Sequence, residues 1–122
     1  FGVNYGGSNW ADEKMLDVLL QPGAVLVPLG FCVEVPEGWV GLLKGRSGLA
    51  MRGHEGHVAA IDSDYRGEVH MILHVTENMW IKHGDRVGQI LFMPAPQFKL
   101  EVVDELSETV RGANGFGSSG MR

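Results

Sequence analysis

Two acidic residues in "AAIDSDYRGEV", residues 59 to 69, are the first candidates for chemistry. Asp62 follows three apolar residues, which predicts partial burial, and Asp64 lies two positions further on. A buried carboxylate needs a partner or a function, because removing its charge from water is costly. The alternative is an Asp-rich turn in which both side chains bond nearby backbone amides. The residues of this segment alone leave both interpretations open.

A second segment, "KGRSGLAMRG", covers residues 44 to 53 and has the composition of an anion site. Arg46 supplies a planar donor fork and Ser47 a hydroxyl. Gly45 and Gly48 allow backbone amides to approach an anion closely. The segment therefore predicts a phosphate cradle, and the alternative is a β-turn with an exposed arginine.

Two further segments combine glycine with polar side chains. "HGDRVGQILF", residues 83 to 92, places Gln89 in an apolar strand, where its amide needs a polar partner, unless the segment is only a solvated strand start with Asp85 beside Arg86. "RGANGFGSSG", residues 111 to 120, has the glycine and serine content of a flexible tail. The same composition also suits an arm that folds over a ligand.

The elements that must position these segments are short strands. "GEVHMILHV" alternates with period two, which predicts a strand with Val69, Met71, Leu73 and Val75 on its buried face. "FKLEVV" predicts another half-buried strand, and "GQILFMPAP" one that is covered on both faces. "AVLVPLGFCVEV" and "GWVGLLKG" are β-rich runs in which Pro28, Gly30, Pro36 and Gly38 predict breaks. Many short strands with eighteen glycines favour a sandwich or a jelly roll.

The chain divides into a body and an arm. Residues 1–110 are expected to form one β domain, in which residues 8–15 favour a short helix because possible cap residues precede acidic and apolar positions. Residues 111–122 are expected to form the separate glycine-rich arm.

Composition limits the class of protein. The 122 residues, of which 44% are hydrophobic and 20% charged, suit one globular domain. A formal charge of −5 disfavours nucleic-acid binding, and no apolar run approaches the roughly 20 residues of a membrane span. Cys32 is the only cysteine, which predicts a reducing compartment such as the cytoplasm, or the host cell for a phage-encoded protein.

The four glycine-containing segments, in this order and spacing, resemble motifs of the trimeric deoxyuridine triphosphatase (dUTPase) family. "GRSGLA" is similar to the second motif, "AIDSDYRGE" to the third, "GDRVGQ" to the fourth and "RGANGFGSSG" to the fifth. "LLQPGAVLVPLGFCVEVPEGWVGLL" resembles the strand region between the first two motifs. The resemblance extends over about residues 16–122.

The resemblance implies an all-β, dUTPase-like jelly roll, a distorted β-barrel, that assembles as a homotrimer with active sites shared between subunits. It also implies hydrolysis of dUTP to dUMP and pyrophosphate by attack of water on the α-phosphate, which limits uracil incorporation into DNA and supplies dUMP. Mg²⁺ would be carried by the triphosphate. Metal, arginines and a carboxylate would together supply the charge neutralisation and the base, so no covalent nucleophile is required.

The resemblance also assigns roles to individual residues. Asp62 would orient and activate the attacking water, and Gln89 would contact the α-phosphate. Tyr65 would pack under the deoxyribose and exclude a 2′-hydroxyl. The other substrate contacts would be made by three parts of the chain. Arg46, Ser47 and Gly48 would form a phosphate cradle, and Ala59 and Ile61 would belong to a uracil-reading strand pair around residues 55–61. The closing arm would contribute Arg111, Phe116, Gly117, Ser118 and Ser119.

The first motif departs from the family pattern. "SNWAD" aligns with it and places Ala11 where a metal-positioning aspartate is usual, although a slip by one residue would offer Asp12 for a water-mediated contact. This change favours one alternative, a non-catalytic or regulatory dUTP-binding homologue. A second alternative is a dCTP deaminase-like enzyme, but its catalytic glutamate would fall at Ile72, and that family lacks the fifth motif.

Overall fold

The computed structural model describes residues 2–4 and 17–121, which are almost entirely β-strands and loops. The elements are β1 (Gly2–Asn4), β2 (Val18–Leu20), β3 (Gly23–Glu34), β4 (Trp39–Gly45), α1 (Ser47–Met51), β5 (Glu55–Gly56), β6 (Ala59–Ile61), β7 (Glu68–Val75), β8 (Met79–Ile81) and β9 (Gly88–Pro94). The all-β prediction is confirmed. The helix predicted over residues 8–15 lies outside the described residues. No helix in the described ranges is long and apolar enough to cross a membrane.

The strands form three sheets, and all their pairings are antiparallel. One sheet has the order β1-β3-β7-β5, a second β6-β4-β9, and β2 pairs with β8. The predicted break at Pro28 and Gly30 is wrong, because β3 continues through both residues. A register shift between Pro28 and Cys32 accommodates the irregularity instead. The break at Pro36 and Gly38 is confirmed by the turn that separates β3 from β4.

The core lies between the sheets and follows the alternation of β7. Every second β7 residue is buried, while Glu68, Ile72 and His74 are exposed, as the period-two pattern predicts. Full burial of such an apolar side chain contributes about 1.5–3 kcal/mol to stability. The buried apolar residues are Leu20, Val27, Val33, Val35, Leu43, Ile61, Val69, Met71, Leu73, Val75 and Val87.

Two predictions for the C-terminal third of the chain are wrong. β9 is a strand, but neither of its faces is fully covered within one chain, since Leu91 and Met93 on one face and Phe92 on the other each remain about two-fifths exposed (42%, 38% and 39%). "FKLEVV" forms no strand, and Phe98 and Leu100 are 80% and 92% exposed. Alternation shows that a segment suits a strand, but a strand also needs a partner edge, and the described chain provides none there.

Candidate active site

The second and fourth motifs meet at one end of the pair formed by β4 and β9. Gly45 lies opposite Gly88, and Lys44 lies opposite Gln89. Arg46 Nη1 donates to the Arg86 carbonyl at 3.2 Å. Gln89 Nε2 lies 3.5 Å from the Gly45 carbonyl, so its amide meets the polar partner that the sequence requires. Strand register therefore places the Arg46 segment beside Gln89.

The Arg46 segment is neither a simple turn nor an extended loop. Arg46 has extended backbone angles, with φ −109° and ψ 142°, and α1 begins at the next residue. The amides of Leu49 and Ala50 both donate to the Arg46 carbonyl at 3.1 Å. Ser47 and Gly48 thus occupy the first turn of a five-residue helix, where they are exposed to solvent. A ligand can reach all three predicted phosphate contacts from outside.

The third motif is a turn that follows β6. Ile61 is buried, but Asp62 is exposed, so the predicted partial burial of Asp62 is wrong. The amide of Tyr65 donates to the Asp62 carbonyl at 3.1 Å. The Tyr65 hydroxyl donates to the Glu68 carbonyl at 2.8 Å, and its ring fills the space that a Cβ on Gly67 would occupy. The turn therefore presents the Asp62 carboxylate to solvent, and the Tyr65 ring three residues further on has a fixed orientation.

A single chain does not bring Asp62 close to Arg46. Ile61 pairs with Gly41, so Asp62 lies near the start of β4, whereas Arg46 follows the end of that strand. At about 3.3 Å per residue, Asp62 and Arg46 are separated by roughly 20 Å along the strand. Two groups that contact the phosphate chain of one nucleotide must lie much closer together than this. A site that uses both residues requires a second copy of the chain.

The predicted uracil-reading strand pair is wrong as a pair. β5 joins β7 in one sheet, while β6 joins β4 in another, with Ala59 opposite Leu43. The segment therefore bridges two sheets, and the His57 amide donates to the Ile72 carbonyl at 2.8 Å. Because the Ile61 side chain is part of the core, only its backbone is available to a ligand.

Glycines allow the two larger sheets to approach beside the Arg46 segment. A Cβ on Gly56 would lie 2.7 Å from the Gly45 Cα and 3.0 Å from Met71 Sδ. A Cβ on Gly88 would overlap the Met71 methyl. Gly45 and Gly88 directly precede Arg46 and Gln89, so this contact fixes both predicted phosphate ligands relative to the core. Sequence reasoning identified Gly45 as a ligand approach but missed its contact with Gly56, which no local pattern signals.

Replacing Gly56 by alanine is expected to lower the free energy of unfolding by about 1–3 kcal/mol, because the new methyl has no space between two backbones. Urea unfolding followed by tryptophan fluorescence measures the change. Gly48→Ala is the matched control, since nothing lies within 4 Å of its Cβ position. Equal stability of the two variants would contradict the tight contact at Gly56.

The C-terminal segment forms local turns. Arg111 Nε donates to the Asn114 carbonyl at 2.7 Å, and Gly112, Gly117 and Gly120 have positive φ values of 56°, 84° and 77°. Within the described chain, the hydrogen bonds of residues 96–121 join positions three apart. Phe116 is fully exposed. The structure therefore leaves the predicted arm residues, including Ser118 and Ser119, apart from the other candidates, and closure of the arm stays a prediction.

A protein-held metal centre has no support among the described residues. No group of three or more His, Cys, Asp or Glu side chains in residues 2–4 and 17–121 could hold an ion. Asp12, the candidate for a water-mediated metal contact, lies outside these ranges, as does Ala11. Mg²⁺ commonly binds through substrate phosphates with only one or two carboxylates. The exposed carboxylates of the described residues, such as Asp62 and Asp64, are therefore compatible with an ion that arrives on a nucleotide.

The chain is similar to proteins of one known family. The dUTPase family model matches residues 15–120. A deoxyuridine 5′-triphosphate nucleotidohydrolase of Anaeromyxobacter sp. (strain Fw109-5) is 44% identical over 116 residues, which cover 90% of this chain and 77% of that protein. A mutant dUTPase of Staphylococcus bacteriophage 80alpha, solved with dUpNHpp, superposes with a TM-score of 0.75 and 26% identity over 86% of this chain and 81% of that one.

A dUTPase of phage phi11 of S. aureus, described with a structural Mg(II) ion, has a TM-score of 0.68 at 22% identity, over 73% of this chain and 78% of that one, and supports the fold alone. The solved dUTPases therefore have the same overall fold as this chain. The family match begins three residues before β2 and extends through all four glycine-containing segments to the arm. This chain belongs to the dUTPase family.

Proposed function

We propose that this chain hydrolyses dUTP to dUMP and pyrophosphate by attack of water on the α-phosphate. The observation that carries the proposal is the pairing of β4 with β9, because Gln89 lies opposite Lys44 and Arg46 follows the end of β4, so that both exposed side chains belong to the same end of the strand pair. Two hydrogen-bond donors, one charged and one polar, at the same end of a strand pair suit the binding of a chain of phosphates. The match to the dUTPase family indicates that these phosphates belong to dUTP. In the cell, this reaction would limit uracil in DNA and supply dUMP in the cytoplasm.

The phosphate chain would lie along the Arg46 segment. Arg46 donates its guanidinium to phosphate oxygens, Ser47 its hydroxyl, and Gly48 its backbone amide. Gln89 contacts the α-phosphate with its side-chain amide. This role is supported by the exposed position of all four residues and by the strand register that groups them.

Asp62 would act as the base that orients and deprotonates the attacking water. Its carboxylate is exposed and next to Tyr65, whose ring would pack under the deoxyribose and leave no room for a 2′-hydroxyl. The hydroxyl of Tyr65 is already used by the Glu68 carbonyl, which holds the ring in one orientation. Selection of deoxyribose would thus depend on the fixed face of the Tyr65 ring, and the general base, Asp62, would act from the same turn.

The base of the nucleotide would be recognised by backbone groups of β6. Ala59 and Ile61 lie on the strand that leads into Asp62, and the Ile61 side chain points into the core. Backbone donors and acceptors can match the edge of uracil, and close approach of the strand would exclude the methyl group of thymine. Phe116 would stack on the exposed face of the uracil when the arm closes, with Arg111 at the terminal phosphate and residues 117–119 around the triphosphate.

We further propose that the site is shared between copies in a homotrimer. The separation of Asp62 and Arg46 on one chain supports this, because only a neighbouring copy would bring both residues to the same nucleotide. Exposed apolar side chains of β9 and of the segment after it provide surface for the contact, namely Leu91, Phe92, Met93, Phe98, Leu100 and Val102. A closed ring of three identical contacts would cover these exposed side chains.

Mg²⁺ is the metal that we propose for the reaction, bound to the triphosphate rather than to a protein cage. When bound, the ion neutralises phosphate charge that would otherwise repel the incoming water. The chain's own residues would position the nucleotide oxygens, and Asp12 remains the candidate for a contact through water.

Mixing two inactive variants tests the shared site. Asp62→Asn and Arg46→Ala should each be inactive alone, but unfolding and refolding them together should restore about one quarter of the wild-type rate, because random assembly gives that fraction of sites both intact residues. The rate is measured by pyrophosphate release at equal total protein, and light scattering gives the assembled mass. No recovery in a mixture of proven trimers would place both residues of a site on one chain.

The activity itself is tested by pyrophosphate release from dUTP, dTTP, UTP and dCTP with and without Mg²⁺. We expect rapid Mg²⁺-dependent release from dUTP and little from the other three. Binding of dUTP without release would instead support a non-catalytic, regulatory homologue, which the Ala11 substitution favours. Deamination of dCTP is not expected, since Ile72 stands where that reaction needs a glutamate.

A further inference from the structure

The turn that carries Asp62 and Tyr65 has little support of its own. Asp62 and residues 64–66 are exposed, and one backbone hydrogen bond, from the Tyr65 amide to the Asp62 carbonyl, closes the turn. A short exposed turn with one internal bond would move with respect to the sheets. A base that aims a water molecule at one phosphorus needs a fixed position.

Arg66 supplies that support through three acceptors. Its Nη1 donates to the Ser63 carbonyl at 2.7 Å and to the Tyr65 carbonyl at 3.1 Å. Its Nη2 donates to Glu34 Oε1 at 2.9 Å. Glu34 is the last residue of β3, so one guanidinium connects the turn to the longest strand among the described residues. Only the planar fork of an arginine offers donors in these directions at once.

A second attachment joins the far end of the same turn to β3. The Glu68 carboxylate accepts a hydrogen bond from the Gly30 amide at 2.9 Å, and the Glu68 carbonyl accepts the Tyr65 hydroxyl at 2.8 Å. The turn is thus held to β3 at Glu34 and at Gly30. Glu68 is the first residue of β7, so its position is already set by the sheet, whereas Arg66 belongs to the turn itself.

The ion pair between Arg66 and Glu34 has a small effect on global stability. Their side chains are 56% and 65% exposed, and such pairs are screened by solvent and salt. Catalysis is more sensitive than stability to the same contact, because a displacement of about 1 Å at a reacting group can cost about 100-fold in rate. Loss of Arg66 would therefore affect turnover more than folding.

We propose that Arg66 is a positioning residue, which fixes the carbonyls of Ser63 and Tyr65 and so aims the Asp62 carboxylate, with Glu34 as its anchor on β3. This inference rests on the proposed dUTP hydrolysis. It assigns a specific task to a side chain that touches neither the phosphate cradle nor the predicted uracil contacts. Arg66 acts through the turn and does not contact the substrate.

Rates of four variants distinguish this task from a simple charge pair. Arg66→Gln should lower kcat for dUTP by about 10- to 100-fold, with a smaller change in KM. Glu34→Gln retains an acceptor for Nη2 and should lose less than about threefold. Arg66→Lys keeps the charge but lacks the planar fork of donors, so its kcat should lie between those of Arg66→Gln and Glu34→Gln. The exchange Glu34→Arg with Arg66→Glu restores opposite charges but leaves both turn carbonyls without a donor, so it should stay as slow as Arg66→Gln.

Hydrogen exchange of the peptide that covers residues 62–68 provides a readout independent of activity. Exchange there should be faster in Arg66→Gln than in the wild type and in Glu34→Gln, while the unfolding temperatures of all three stay within a few degrees. Unchanged exchange in Arg66→Gln, or recovery of kcat in the charge exchange, would overturn the positioning role. Absence of dUTP turnover in the wild type would overturn the proposed function instead, and the exchange data would still decide how the turn is held.

Discussion

An Asp62→Asn variant is expected to lose about 10²- to 10⁴-fold in kcat for dUTP, the range that a positioned general base contributes. Asparagine has nearly the same shape, so the turn and its bond to the Tyr65 amide should persist, since that bond uses the Asp62 backbone carbonyl. The amide cannot accept the proton of the attacking water. Pyrophosphate release measures the rate, and calorimetric titration with a non-hydrolysable dUTP analogue measures binding, which should remain.

Asp64→Asn is the matched control for this variant. Asp64 lies two positions away in the same exposed turn and loses the same charge, so a general electrostatic effect on the substrate would appear in both variants. We expect Asp64→Asn to keep most of the wild-type rate. Similar losses in the two variants, or a near-normal rate in Asp62→Asn, would remove Asp62 from the role of base.

The sequence predicted those parts of the fold that are determined by residues close together in the chain. The alternation of β7 predicted which of its residues are buried, because a side chain on a strand reports the face that it occupies. α1 has five residues, which is shorter than the window in which helical periodicity can be recognised, and the sequence predicted a phosphate cradle or a β-turn there but no helix. The continuity of β3 through Pro28 depends on a register shift against β7, which no residue in β3 specifies alone.

The candidate site shows the same division. The motifs identified the candidate residues, and the pairing of β4 with β9 brings two of the motifs together. The distance between Asp62 and Arg46, however, follows from the register between strands that are far apart in sequence. The link from Arg66 to Glu34 spans 32 positions and likewise has no local signal. In both cases a long-range contact decides the geometry, and a single sequence contains no direct record of such contacts.

Deleting residues 111–122 is expected to lower kcat/KM for dUTP by about 10²- to 10³-fold, which is the scale for losing donors that stabilise charge in the transition state. The fold should persist, because residues 111–121 are almost all exposed and their hydrogen bonds within the described chain are local. Thermal unfolding should therefore stay within a few degrees of the wild type, and pyrophosphate release should report the loss. The deletion removes the arginine proposed for the terminal phosphate, the ring proposed to cover uracil and the amides proposed to wrap the triphosphate and exclude water.

Deletion of only residues 121–122 is the control for shortening the chain, and it should leave the rate unchanged. Single changes then separate the parts of the arm. Phe116→Ala should mainly raise KM, because its fully exposed ring gains a partner only when uracil is bound. Arg111→Gln should mainly lower kcat, since charge on the phosphates increases as the bond to the leaving pyrophosphate breaks. If the long deletion kept full activity, the segment would be a tail, and water would have to be excluded by the body of a neighbouring subunit.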